Sequence, residues 1–321
     1  MIQRYDFAPL DGITKVVFRQ VYHRLFGGAD RYFLPFFSPT DQHILTKRDR
    51  RELDPVANAG LRVVPQVMTR RAPDFLWAAE LLEDMGYTEV NLNLGCPSGT
   101  VTAKGKGSGF LAKPEELERF FDEVFASVKL PVSVKTRLGV KEPEEFERLL
   151  EIYNRYSIAC LTIHPRVQKQ FYKGTVYRDW FAWAAERSRN PLCYNGDLVT
   201  VEDCGAFEAD FPAIDAVMIG RGAVADPALF RKLRGGTPAT RREIQTFTRT
   251  LYQSYQEFYG QVGPAAQRMK EVWFFLIRLF EGGERHHKRM RRLRTPAEYE
   301  AVEAAIFQEL PLRDHAEGAF G

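Results

Sequence analysis

The chain has 321 residues, 45% of them apolar, and a formal net charge of +3. Such a chain buries a large core, which excludes a disordered polyelectrolyte and fits one large domain plus a small one, or two of medium size. The charge is too small for its average to attract a polyanion, so any such affinity depends on where the cations lie.

Short runs rich in Val, Ile, Leu and Phe recur along the first two thirds of the chain. They predict strands at 5–10, 31–37, 62–68, 89–95, 131–139, 159–165, 191–197 and 215–221. Amphipathic segments lie between most of them. "APDFLWAAELLEDMG" carries Pro73 and Asp74 at its front, and "KPEELERFFDEVFASV" and "EPEEFERLLEIYNRY" open with Pro and Glu, all helix-start signals. Strand and helix in alternation imply parallel strands with crossover helices. Eight such units predict a (β/α)8 TIM barrel, although spacing alone also admits an open doubly wound sheet. After "GGTP" at 235–238 no strand is expected. "TRREIQTFTRTLYQSYQEFYG", "GPAAQRMKEVWFFLIRLFEGG" and "TPAEYEAVEAAIFQEL" read as helices, which divides the chain into a barrel domain, 1–237, and a small helical domain, 238–321.

The four cysteines, Cys96, Cys160, Cys193 and Cys204, are far apart and form no C-x-x-C pair. Reduced thiols are expected rather than a zinc site or dithiol motif, and no metal ligand set is apparent. No apolar run approaches the roughly 18 residues of a membrane helix, and the N-terminus has no leader pattern. A cytoplasmic protein with no membrane association is expected.

A barrel places its functional groups where strands end and the following loops begin. The predicted ends are polar almost throughout: Pro9, Leu10 and Asp11 in "APLDG", then Gln66, Asn93 and Cys96, Lys135 and Arg137, His164 and Arg166, "NGD" (Asn195, Gly196, Asp197) and "GRGA" with Gly220 and Arg221. Glycine turns after the seventh and eighth strands let the main chain approach a phosphate, and Arg221 adds charge. Ordinary strand-to-helix turns read the same way. Lys135 and His164, on neighbouring strands, suit a reducible cofactor: the lysine stabilises negative charge and the imidazole donates a hydrogen bond. Either residue alone is more often a structural partner.

Cys96 opens the loop "GCPSGTVTAKGKGSG", whose glycines are expected to make it flexible enough to close over a substrate. A thiol with pKa near ~8.5 is mostly protonated at neutral pH and serves as a general acid. Lys104 and Lys106 on the same loop suit a polyanionic substrate. The plainer reading makes Cys96 a small buried residue and the lysines solubilising. Cys160, Cys193 and Cys204 lie in apolar runs or on a helix face and read as core. "RHHKRMRRLR", 285–294, carries six Lys or Arg residues and no acid, and is a candidate for nucleic-acid backbone contact when set beside a phosphate-binding mouth.

Together these residues resemble the tRNA-dihydrouridine synthase family. The likeness runs from "FAPLDGITKVVFRQV" through "PQVMTR", "NLNLGCPSGTV", "VSVKTRLG", "LTIHPR", "YNGDL" and "MIGRGAVADPALF" to "QRMKEVWFFLIRLF". It implies an FMN-binding barrel with a helical tRNA-binding domain. NADPH reduces the flavin, a hydride reaches C6 of a tRNA uridine, and a cysteine protonates C5 to give 5,6-dihydrouridine. By position, the resemblance makes Cys96 the proton donor. It puts Pro9, Leu10, Asp11, Gln66, Lys135 and His164 along the isoalloxazine and Asn195, Gly196, Asp197, Gly220 and Arg221 at the ribityl phosphate. Asn93, Arg137 and Arg166 are then expected on the substrate side. No protein partner is implied. Leu10 stands where the family usually has Met, and Pro165 replaces a common Gly after the histidine, which restricts the backbone beside His164. Two other readings are a small-molecule FMN oxidoreductase of the dihydroorotate dehydrogenase type and a non-catalytic RNA-binding barrel. The helical domain and its basic run argue against the first. The intact Lys135, Cys96 and glycine turns argue against the second.

Overall fold

The computed structural model describes residues 2–317. Its strands are β1 (Arg4–Phe7), β2 (Arg31–Phe33), β3 (Val63–Val64), β4 (Gln66–Val67), β5 (Val90–Leu94), β6 (Val132–Arg137), β7 (Leu161–His164), β8 (Leu192–Tyr194) and β9 (Ala216–Ile219). All pair in parallel in the order β3-β2-β1-β9-β8-β7-β6-β5-β4. The two ends of this sheet, β3 and β4, are one run of chain interrupted at Pro65. Proline has no N–H for the ladder, and here the chain changes partner. Val63 and Val64 pair with Tyr32 and Phe33, whereas Gln66 and Val67 pair with Asn91 and Leu92. The sheet therefore curls back on itself as a TIM barrel with eight strand positions, at the eight places the sequence predicts. The strands are shorter than predicted, because the polar C-terminal residues of each run leave the ladder to build the rim.

Alternation along each strand sorts side chains between two cores. Phe7, Leu92, Val134, Leu161, Ile163 and Val217 pack with the surrounding helices, whereas Ala8, Phe33, Val64, Cys160, Cys193, Ala216 and Met218 form a separate apolar cluster. Cys160, Cys193 and Cys204 are all buried.

Charged groups share the interior. Arg31 clasps Asp6 through Nε (2.9 Å) and Nη2 (2.7 Å), and its Nη1 reaches Glu89 at 2.8 Å. Arg4 adds a contact to Asp6 at 3.4 Å.

From 238 to 317 the chain is helical, apart from one bridge between Phe280 and Leu312. Thr240 caps the Arg241–Tyr259 helix and Thr295 the Pro296–Glu309 helix, each in a capping box with the glutamate three residues on. Phe247 packs edge-on against Phe18, Tyr22 and Phe26 of the barrel helix Val16–Leu25, with ring centroids 5.9, 6.4 and 5.5 Å away. Arg268 on the Val262–Leu276 helix reaches the carbonyl of Gly12 at 3.2 Å, next to the end of β1. The helical part is thus seated on the β1 side of the rim. Among the described residues no helix is long and apolar enough to cross a membrane.

Removing one partner of a buried ion pair leaves the other charge uncompensated, at about 3–5 kcal/mol. Asp6→Ala is therefore expected to lower unfolding free energy by about that amount in urea titration. The double variant Asp6→Leu, Arg31→Met should recover part of the loss.

Candidate active site

A cavity of about 440 Å³ opens at the C-terminal ends of the strands. Its lining includes Pro9, Leu10, Asp11, Gln66, Asn93, Cys96, Lys135, Arg137, His164, Asn195, Gly196, Asp197, Gly220 and Arg221, all singled out from the sequence. Arg166 is absent from the lining. Its guanidinium is buried behind the mouth, where Nη1 donates to His164 Nε2 (3.1 Å) and to Asp197 Oδ1 (2.9 Å). Nη2 adds Gly174 O and the second Asp197 oxygen.

Arginine has only donors, so His164 Nε2 accepts and Nδ1 carries the imidazole proton. Burial, then the cations Arg137, Lys135, Arg166 and Arg221, hold the His164 pKa well below its ordinary value. The ring is neutral, with one N–H to give. Beside it, the Arg166 N–H reaches back to the His164 carbonyl at 2.7 Å, making a three-residue turn centred on Pro165.

Lys135 is partly buried and lines the cavity. Among the described residues its ammonium has no hydrogen-bond or ion-pair partner. Burial, and then Arg137, push its pKa down to about 7. A lysine drawn partly out of water costs stability unless something compensates it.

The two glycine turns meet on the far side of the mouth. A Cβ on Gly222 would fall 2.6 Å from the carbonyl of Leu198, so glycine there lets the "GRGA" turn close on the "NGDL" turn. Asp197, in the left-handed region at φ 49°, takes Arg221 Nη2 at 2.7 Å as well as Arg166. Its carboxylate is thereby committed to two guanidinium groups. Asn195 Nδ2 donates to Met218 O at 2.7 Å and ties β8 to β9.

Cys96 is partly exposed in the mouth. Burial is the main influence on the thiol and raises its pKa, with Asp11 acting in the same direction against Ser98, Arg137 and Lys135. Its loop is folded rather than loose. The Cys96 carbonyl accepts from Ser108 N (3.1 Å) and Ser108 Oγ (2.8 Å). Gly107, at φ 56°, lies so close that a Cβ there would be 2.8 Å from that carbonyl. At this position glycine serves close packing, where the sequence pattern pointed to flexibility.

Arg137 Nε holds the Gly95 carbonyl at 2.8 Å, and its guanidinium lies 5.4 Å from the ring centre of Tyr172. Tyr172 also lies 5.0 Å from the Arg221 guanidinium and 6.1 Å from the His164 ring. It is missing from the sequence-derived site, and its only trace is an aromatic pair, "FY", inside the polar loop "QKQFYKG". Phe274 and Phe275 were missed too. They reach the cavity from the Val262–Leu276 helix, and helical spacing does not distinguish a rim aromatic from a core one.

The model of the family described as Dihydrouridine synthase (Dus) matches residues 6–310. The chain belongs to the dihydrouridine synthase family. One relative, the tRNA-dihydrouridine(16) synthase of Ralstonia nicotianae, is 31% identical over 73% of this chain and 73% of its own length. A second, a probable tRNA-dihydrouridine synthase 1 of Synechocystis sp., is 31% identical over 83% of this chain and 76% of its own length. Among solved structures, morphinone reductase superposes with a TM-score of 0.52 at 16% identity, covering 76% of this chain and 88% of that one, a likeness of fold alone. As a dihydrouridine synthase the protein is an oxidoreductase, and the match continues through the helix that supplies Phe274 and Phe275.

Because the folded chain holds Lys135 near pKa 7 and the unfolded chain near its ordinary value of 10.5, the unfolded state binds more protons between the two. Stability of the ligand-free synthase should therefore rise with pH across that interval. Lys135→Met should melt at a higher temperature than wild type at pH 6, with the gap narrowing as pH climbs towards 10. A gap independent of pH would show that Lys135 is not held in this way.

Proposed function

We propose that the protein is a tRNA-dihydrouridine synthase that binds FMN in the barrel mouth, draws electrons from NADPH, and reduces the C5–C6 bond of a tRNA uridine with Cys96 as proton donor. The observation that carries this reading is the convergence, on one cavity, of an unpartnered, partly buried lysine, two glycine turns with arginine, and a thiol held protonated.

The residues fit FMN. The turns at Asn195, Gly196, Asp197 and at Gly220, Arg221 would hold the phosphate through main-chain N–H groups and the Arg221 guanidinium. Asp197 keeps that guanidinium and the one beneath it in place. Leu10 and Pro9 offer an apolar wall, with Asp11 and Gln66 at its margins, and His164 offers its Nδ1–H to a carbonyl. Lys135 would meet the electron-rich part of the ring, which favours the protonated amine that burial opposes. When bound, FMN reduced by NADPH supplies the hydride that C6 of the uridine receives.

Protein groups supply the rest. Asn93 and Arg137 stand on the substrate side, Tyr172 and Phe274 flank it, and Arg166 acts behind them by holding His164. Cys96 gives its thiol proton to C5, so hydride and proton together saturate the double bond, and the thiolate left behind recovers a proton from water. A raised thiol pKa keeps the donor loaded at neutral pH.

In this reading residues 1–237 are the catalytic barrel and 238–321 the tRNA-binding domain, the last four residues lying outside the described structure. On the Glu284–Arg292 helix His286 and Met290 face inward, with His286 Nε2 3.1 Å from Glu309. Arg285, Lys288, Arg289, Arg291 and Arg292 are left exposed, and Arg294 follows them. That surface suits a phosphate backbone. A reaction on tRNA fed by NADPH belongs in the cytoplasm. The small-molecule oxidoreductase alternative is not favoured, since the family match includes the helical part.

Cys96→Ala should retain flavin and tRNA binding while dihydrouridine in the tRNA, read by mass spectrometry of nucleosides, falls to background. Product formation at the wild-type rate would remove the proton-donor role. Reversing the charges of Arg289, Arg291 and Arg292 together should weaken tRNA binding and lower the slope of log affinity against log salt by up to about 3, near 0.9 per lost phosphate contact. An unchanged slope would make the run an ordinary solvated face.

A further inference from the structure

A single line of hydrogen bonds crosses the barrel interior and ends at the Cys96 loop. It starts from Glu89, whose Oε2 is held by Arg31 at 2.8 Å and whose Oε1 accepts from Ser133 Oγ at 2.6 Å. An ionised carboxylate only accepts, so Ser133 spends its one proton there and must itself accept from the next group. That group is Asn91, whose Nδ2 lies 2.9 Å away. Asn91 then turns its Oδ1 to Gln66 Nε2 (2.7 Å), and Gln66 turns its Oε1 to Asn93 Nδ2 (2.7 Å). With its amino group committed, Asn93 is left with Oδ1 pointing at the main chain ahead, where it accepts from Gly95 N (3.0 Å) and Cys96 N (2.9 Å).

Each amide in this line has one orientation that works. If Asn93 were reversed, its NH₂ would face two backbone N–H groups, donor against donor. Gln66, Asn91 and Ser133 are all buried, so little solvent reaches the line to compensate an error. The direction is therefore set alike at both ends, by the Gly95 and Cys96 N–H groups at the rim and by a carboxylate outside the cavity lining at the far end.

We propose that Ser133 and Asn91, directed by Glu89, are positioning residues that fix the Asn93 carboxamide and through it the placement of the Cys96 thiol at the mouth. Neither Ser133 nor Asn91 lines the cavity. Their effect on reaction rests on the reading of Cys96 as proton donor; their effect on the thiol's placement does not.

The test uses the purified flavin-loaded protein and iodoacetamide. Cys160, Cys193 and Cys204 are buried, so alkylation of the folded protein reports Cys96, with Cys96→Ala as the zero control. Ser133→Ala should change the alkylation rate severalfold and slow tRNA-driven dihydrouridine formation by about tenfold to a hundredfold, the usual cost of a small misplacement of a reacting group. Flavin content should stay at the wild-type level. Ser133→Thr keeps the hydroxyl and should restore both rates. Glu89→Gln, which can donate as well as accept, should disturb alkylation as Ser133→Ala does. Wild-type alkylation in both Ser133→Ala and Glu89→Gln would overturn the proposal, as would a Thr variant disturbed as much as the Ala variant, since packing alone would then explain both. If alkylation shifts while dihydrouridine formation does not, the line positions the thiol but the proton-donor role fails.

Discussion

The structure depends on one requirement: polar and charged side chains sealed inside a closed barrel must satisfy one another. Asp6, Arg31 and Glu89 do so at one end of the interior, and the amides between Glu89 and Asn93 extend that order to the rim. Among the described residues a few buried atoms, Thr162 Oγ1 among them, lack a hydrogen-bond partner, and so does the Lys135 ammonium. Lys135 sits at the mouth without a counter-charge, and the fold bears the cost of its burial.

Around that lysine the rim separates charge by position. Arg166 and Arg221 share Asp197, which fixes both guanidinium groups without cancelling their joint positive charge. Burial, then Arg137 and Lys135 ahead of these two arginines, keeps His164 neutral, so it can donate without becoming another positive centre. The thiol of Cys96 is held protonated on the opposite side, on a loop pinned to the strand behind it by Asn93 and to its own continuation by Ser108. The surfaces proposed for phosphate, ring and proton donation thus arise from neighbouring strand ends, and the helical part adds Phe274 and Phe275 to the same cavity.

Much of this was legible in the residues. Eight apolar runs with helices between them predict parallel strands with crossover helices, since alternation and spacing are local properties of a chain, but closure into a barrel rather than an open sheet is not among them. The strand-end groups follow from the barrel, because parallel topology brings every C-terminal end to one face. What escaped depends on pairing between distant segments. Arg166 reads as a substrate contact until Asp197, on the next strand's loop, is seen to take both its amino groups. Asn93 does line the mouth, but its bonds to Gln66 and to the Cys96 amide could not be read from the chain. The break at Pro65 was visible as a residue, but its consequence, one run serving two neighbours, requires the closed ring. The glycines after Cys96 show the limit of composition: glycine marks flexibility and close packing alike, and only the neighbours of Gly107 decide between them.

The most direct test is a single turnover without oxygen. The purified yellow protein is reduced with one equivalent of NADPH, unmodified tRNA is added, and return of the oxidised-flavin band is followed while dihydrouridine is quantified. One dihydrouridine should appear for each flavin reoxidised. Flavin that stays reduced in the presence of tRNA, or that reoxidises without forming dihydrouridine, would contradict the account.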